Sequence, residues 1–118
     1  MPHIFIFGDS ITYGSWDKEG GWADRLKRFL HDKYLKTRGD YCLVYNLGVS
    51  GDTTKEVLKR FDFETKRRLD KKEENIFIFS IGANDASTYS DGKNLVEIGE
   101  FENNIKQLIK RPGFLERK

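Results

Sequence analysis

Three short, uncharged and mostly apolar runs constrain this chain more than any other feature. They are Ile4-Phe5-Ile6-Phe7, Tyr41 to Leu47 (YCLVYNL) and Ile76 to Ile81 (IFIFSI), and each stops at a glycine: Gly8, Gly48 and Gly82. Their apolar residues are consecutive rather than alternating. That is the pattern of strands covered on both faces, as in a parallel sheet.

Helical stripes lie between the runs. Trp22, Leu26, Phe29, Leu30 and Lys33 share one helix face, and that helix is expected to stop near Gly39. Leu58, Phe61, Thr65 and Leu69 form a second stripe after GDTT. Ile98, Phe101, Ile105, Leu108 and Ile109 form a third, expected to end at Pro112-Gly113. The order β-α-β-α-β-loop-α predicts an α/β fold with a parallel sheet and right-handed crossovers. With 118 residues, the chain reads as a single domain over residues 1–118.

Composition excludes several classes. Apolar residues at 37% and charged residues at 34% suit a globular chain, and a net charge of +2 gives no case for a nucleic-acid partner. The first apolar run, Ile4 to Phe7, is too short for a membrane span or a secretory leader. Cys42 is the only cysteine, so no intrachain disulfide can form, and the chain is expected to be cytoplasmic.

Every strand runs into a glycine-rich polar turn at its carboxyl end: GDSITYG, GVSGDTT and GANDAS. In open α/β sheets, ligands sit outside those ends. Ser10 follows the first strand, where its hydroxyl can be offered at the rim, but Ser10 or Asp9 also suits a helix cap. The turn is not the G-x-S-x-G elbow. Gly51 precedes a helix starting near Thr53, so its N–H can face a developing negative charge. A plain turn capped by Asp52 or Thr53 explains it equally. Asn84 can aim an amide donor at the same point, although Asn84 and Asp85 are also ordinary turn formers. Together the three turns supply a hydroxyl, a backbone donor and a side-chain amide, which is what an acyl-transfer site requires.

The blocks FGDSITYG, NLGVSGDTT and IGANDA resemble, in order, the first three blocks of the SGNH hydrolases, the GDSL family of esterases and lipases. The resemblance runs from Ile4 to about Ile109. It implies a flavodoxin-like three-layer α/β/α sandwich, here truncated to about three strands and incomplete at the C-terminus. It also implies hydrolysis of carboxylic ester, thioester or acetyl ester bonds through an acyl-enzyme, on a small-molecule substrate and without cofactor or metal. On matching positions Ser10 is the nucleophile. The Ser10 N–H, the Gly51 N–H and the Asn84 side chain form the oxyanion hole, and Asp9 is structural.

The family's late D-x-x-H block, which brings the catalytic His and Asp, has no counterpart. The two histidines are His3 and His31. His3 precedes the first strand and is expected at the opposite end of the sheet, more than ~13 Å from Ser10. His31 is expected on the helix surface. Neither reaches the ~3 Å that a general base needs. The absent base also motivates an alternative from another class, a catalytically inactive α/β module that binds a small ligand. A third reading, metal-assisted phosphoryl chemistry, starts from Asp9, Asp52 and Asp85 after the strands. No P-loop accompanies them, and capping explains Asp52 and Asp85. A shortened sheet exposes a strand edge and raises the prospect of self-association.

Overall fold

The computed structural model describes residues 1–39 and 41–117. Its elements are β1 (His3–Gly8), α1 (Ser10–Tyr13), α2 (Gly21–Thr37), β2 (Leu43–Gly48), α3 (Thr54–Lys66), β3 (Asn75–Ser80), α4 (Ala83–Ala86) and α5 (Ile98–Leu115). The three strands form one parallel sheet in the order β2-β1-β3. The parallel α/β expectation therefore holds, with strand boundaries displaced by one or two residues.

Alternation along β1 sorts the core into two layers. Phe5 and Phe7 point to one face, where they pack with Val57 and Phe61 of α3 and with Leu108 and Leu115 of α5. Ile4 and Ile6 point to the other, against Ala23, Trp22, Leu26 and Leu30 of α2. The sheet thus lies between α2 and the α3/α5 pair. Phe61 is fully buried, with its ring centre 4.9 Å from Phe7, 5.7 Å from Phe77 and 5.9 Å from Phe79. One such buried phenylalanine contributes about 1.5–3 kcal/mol.

As expected, α2 stops near Gly39: Arg38 takes the left-handed backbone that closes it, and its N–H reaches the Tyr34 carbonyl at 2.7 Å. The end of α5 differs from expectation; it does not stop at Pro112-Gly113 but continues to Leu115. Proline removes one helical hydrogen bond, but here its ring is buried and the extra turn carries Leu115 into the core. The ladder then resumes, with Glu116 N–H on the Pro112 carbonyl at 3.0 Å.

The register places the site. Gly8 pairs with Gly48 on one side and with Ser80 on the other, so the three strands end level. All three polar turns therefore leave the sheet from the same edge.

Glycine at two of these ends answers a packing demand. A Cβ on Gly8 would sit 2.1 Å from Thr12 Oγ1, and one on Gly48 would sit 2.4 Å from the Tyr13 nitrogen. Only glycine lets the α1 turn fold down onto the ends of β1 and β2.

Candidate active site

Asp9 caps α1: its Oδ1 accepts the Ile11 N–H at 3.0 Å. Ser10 is thereby the first residue of a one-turn helix, half-buried, with its carbonyl accepting from Gly14 at 2.9 Å and Ser15 at 3.0 Å. The cap and the candidate nucleophile, alternatives in the sequence, fall on neighbouring residues. Asn46 steadies the turn from β2, donating to the Thr12 carbonyl at 2.9 Å and to Asp24 Oδ1 at 3.1 Å.

Gly51 follows β2 in an exposed turn with φ +83°, and no atom lies within 4 Å of where a Cβ would stand. Here the glycine serves backbone conformation, and Gly48 serves close approach. Thr53 is the N-cap of α3 and forms a reciprocal capping box with Glu56. Burial pushes the Glu56 carboxyl up, but hydrogen bonds from the Thr53 side chain and backbone outweigh it and hold the group below its ordinary value.

The third turn folds onto the second. Asn84 Nδ2 donates to the Asp52 carbonyl at 3.0 Å, beside Gly51. An amide nitrogen carries two hydrogens, so one remains for a further acceptor. Asp85 is 2% exposed and accepts the Thr54 N–H at 3.0 and 3.1 Å and the Thr54 hydroxyl at 2.6 Å. Asn104 of α5 donates to that same hydroxyl at 3.0 Å.

The first turn joins the second through Val49 N–H on the Gly8 carbonyl at 3.1 Å. The turns bearing Ser10, Gly51 and Asn84 thus form one hydrogen-bonded assembly. Sequence reasoning missed Asp85, Thr54 and Asn104 as a buried unit. The available signal was Asn104, a polar residue beside the apolar stripe of α5.

The histidines lie elsewhere. His3 is buried at the amino end of β1, with Nδ1 3.3 Å from the Arg68 carbonyl and its ring near Phe5 and Tyr45. The whole of β1 separates it from Ser10. His31 is half-buried rather than exposed, its ring 6.1 Å from that of Tyr41, and it sits roughly 15 Å along α2 from Gly21.

The three strand-end carboxylates are each engaged separately, Asp9 by Ile11, Asp52 by Arg60 at 2.7 Å and Asp85 by Thr54. Among the described residues no group of three or more His, Cys, Asp or Glu side chains could hold a metal ion.

Apolar surface borders the assembly. Ile11, Tyr13, Trp16 and Val49 are all exposed around the first two turns. Trp16 is fully exposed on a left-handed backbone, φ 63°, so its ring does not cover the first helix. Beside Asn84, a hollow of about 140 Å³ is lined by Gly82, Ala86, Val96, Ile98 and Phe101 among others.

The sequence matches the family described as GDSL-like lipase/acylhydrolase over residues 4–112. Solved structures share the architecture. A similar one is AlinE4, an SGNH-hydrolase family esterase, with a TM-score of 0.71 and 26% identity over 95% of this chain and 53% of that one. A lipase/acylhydrolase from Enterococcus faecalis is similar at a TM-score of 0.66 and 32% identity, over 98% of this chain and 54% of that one. An acetyl xylan esterase from Geobacillus stearothermophilus, 20% identical with a TM-score of 0.66 over 93% of this chain and 55% of that one, shares the fold. Among curated proteins none matches this chain. The chain thus spans little more than half the length of these solved relatives.

Proposed function

Because this chain belongs to the GDSL-like lipase/acylhydrolase family, we propose that it carries the nucleophile and oxyanion side of a serine ester hydrolase. Ser10 Oγ adds to the ester carbonyl and its proton passes to a base. The carbonyl oxygen becomes an oxyanion held by the Ser10 N–H, the Gly51 N–H and the Asn84 amide. Collapse expels the alcohol or thiol with a proton and leaves an acyl-serine, which water then hydrolyses. The observation that carries this reading is the Asn84 amide on the Asp52 carbonyl, which sets the third turn beside Gly51 at the edge where Ser10 leaves β1.

Neither His3 nor His31 is placed to act as the base, so the proton acceptor has to reach Ser10 from elsewhere. Without one, the oxyanion hole and binding sustain only residual turnover. Small carboxylic esters, including acetyl esters and thioesters, are the substrates this site suits. Labelling by a fluorophosphonate probe tests the proposal. Without a base the parent should be labelled slowly and Ser10→Ala not at all; equal labelling of both would sink it.

The remote histidines favour one second reading, a module that binds an ester or similar small ligand without turnover. Binding of such a ligand by calorimetry, with no labelling of Ser10, would select it. No helix among the described residues is long and apolar enough to cross a membrane. A cytoplasmic location accompanies the proposal, as does self-association through β3, an outer strand of the sheet.

A further inference from the structure

We propose that Arg60 is the positioning residue that ties all three turns of the site together, an inference that rests on the roles given above to Ser10, Gly51 and Asn84. Arg60 projects from α3 beneath the level strand ends, with its side chain 19% exposed. Its Nε donates to Asp52 Oδ2 at 2.7 Å. Its Nη2 donates to the Leu47 carbonyl at 2.8 Å and lies 3.3 Å from the Gly8 carbonyl. Those carbonyls belong to the ends of β2 and β1, immediately before the turns bearing Gly51 and Ser10. Asp52, whose side chain is 9% exposed, passes the connection on, because its own carbonyl accepts the Asn84 amide. One guanidinium therefore touches the first two turns directly and the third through one residue.

The chemistry requires arginine. Several N–H donors must point in fixed, coplanar directions to serve a carboxylate and two carbonyls together. The face of Phe7, 5.4 Å below the guanidinium carbon, holds that plane in place. A lysine ammonium is a single point on a flexible stem and cannot span the three acceptors. Glu64 stands 4.0 Å from Nη1, an added carboxylate on the helix side that helps keep the cation buried. A misplacement of the oxyanion donors by an ångström is enough to lower reactivity greatly. Loss of this tie should therefore act on the site before it acts on the fold.

Hydrogen exchange by mass spectrometry on the whole chain tests this, using the parent, Arg60→Lys, Arg60→Ala and Asp52→Asn. Segments 8–15 and 47–54 should exchange on the order of tenfold faster in the variants, while 75–80 and 98–115 keep the parent's protection. Unchanged exchange in both turns would overturn the proposal, and so would a uniform rise everywhere, which marks a merely structural ion pair. Should Arg60→Ala fail to fold, Arg60→Lys and Asp52→Asn, which nearly conserve volume, decide the question. Fluorophosphonate labelling of the same samples separates the two readings. A parent not labelled at Ser10 removes the hydrolase role and leaves the tie to be judged by exchange. If the parent is labelled, Arg60→Lys should react on the order of tenfold more slowly with its melting temperature near the parent's.

Discussion

Thr54 gives both its backbone N–H and its hydroxyl to Asp85, a residue 31 positions further along the chain. The contact is buried, and Asn104 completes it by donating to the same hydroxyl. It anchors the Asn84 turn to the first turn of α3. Asp85→Ala would leave two buried donors without an acceptor, at a cost of roughly 3 kcal/mol. Urea unfolding of Asp85→Ala, Thr54→Val and the double variant measures it. The two losses should be non-additive, since each removes the Thr54 hydroxyl bond to Asp85, although Thr54→Val keeps the backbone N–H bond. Additive losses would show that the pair does not act as a unit.

Asn84 and Ser10 should separate reactivity from stability. Asn84→Ala removes a proposed oxyanion donor and should slow acylation of Ser10 by about 10²–10³. Ser10→Ala should abolish acylation while shifting stability by no more than about 0.5 kcal/mol, as expected for a substitution outside the core. Stopped labelling assays paired with thermal melts check both. An Asn84→Ala variant that labels at the parent rate would remove Asn84 from the site.

The two kinds of glycine at the site predict different failures. Gly8→Ala drives a methyl into Thr12 and the Ser80 carbonyl, 2.8 Å away, so the α1 turn must lift from the sheet. Overpacking of this kind costs about 1–3 kcal/mol. Gly51→Ala meets no atom, and its cost is the left-handed backbone alone, roughly 1–2 kcal/mol. D-alanine introduced at position 51 by chemical synthesis tests the second case. It should restore the parent's stability there, where φ is positive. No rescue at position 51 would show that the left-handed backbone is not what that glycine supplies.

Much of the fold was readable from short-range pattern. The strands stand out because consecutive apolar residues can be satisfied only between two helical layers, and the amphipathic stripes supply those layers. Ser10, Gly51 and Asn84 were readable as candidates because each follows an apolar run by three or four residues. What pattern could not show depends on pairing between distant segments. The level ends of Gly8, Gly48 and Ser80 are a property of register. Asp85 looked like a turn former because its partners are 31 positions away along the chain. Arg60 follows Lys59 on a charged helix and reads as surface until the fold lays it under the strand ends. Pro112 misled for a related reason: its local penalty is offset by tertiary burial of Leu115.

As an outer strand, β3 should govern self-association. Its segment carries no charge, and Ile76 is 38% exposed on it. Uncharged edges invite pairing with another chain, and a lysine on such an edge blocks it. Sedimentation velocity across a concentration series should show the parent gaining mass and Ile76→Lys remaining monomeric. A parent that stays monomeric throughout would retire the idea.

The capping box of α3 gives the site a pH dependence with a definite sign. Glu56 accepts the Thr53 N–H at 2.9 Å, and its folded carboxyl lies below the ordinary value of 4.5. A carboxylate with a lowered folded pKa contributes stability that is fully present above the unfolded value and is lost as pH falls through the folded one. At neutral pH, Thr53→Ala should cost about 1 kcal/mol, the usual worth of an N-cap. That cost should shrink on titration from about pH 6 to pH 3 as Glu56 takes up a proton. It should not vanish, because Thr53 Oγ1 also accepts the Lys55 N–H at 3.2 Å independently of charge. Urea unfolding of parent and variant across that range measures the difference. A cost that stays constant with pH would show that Glu56 contributes to the cap only as a neutral acceptor.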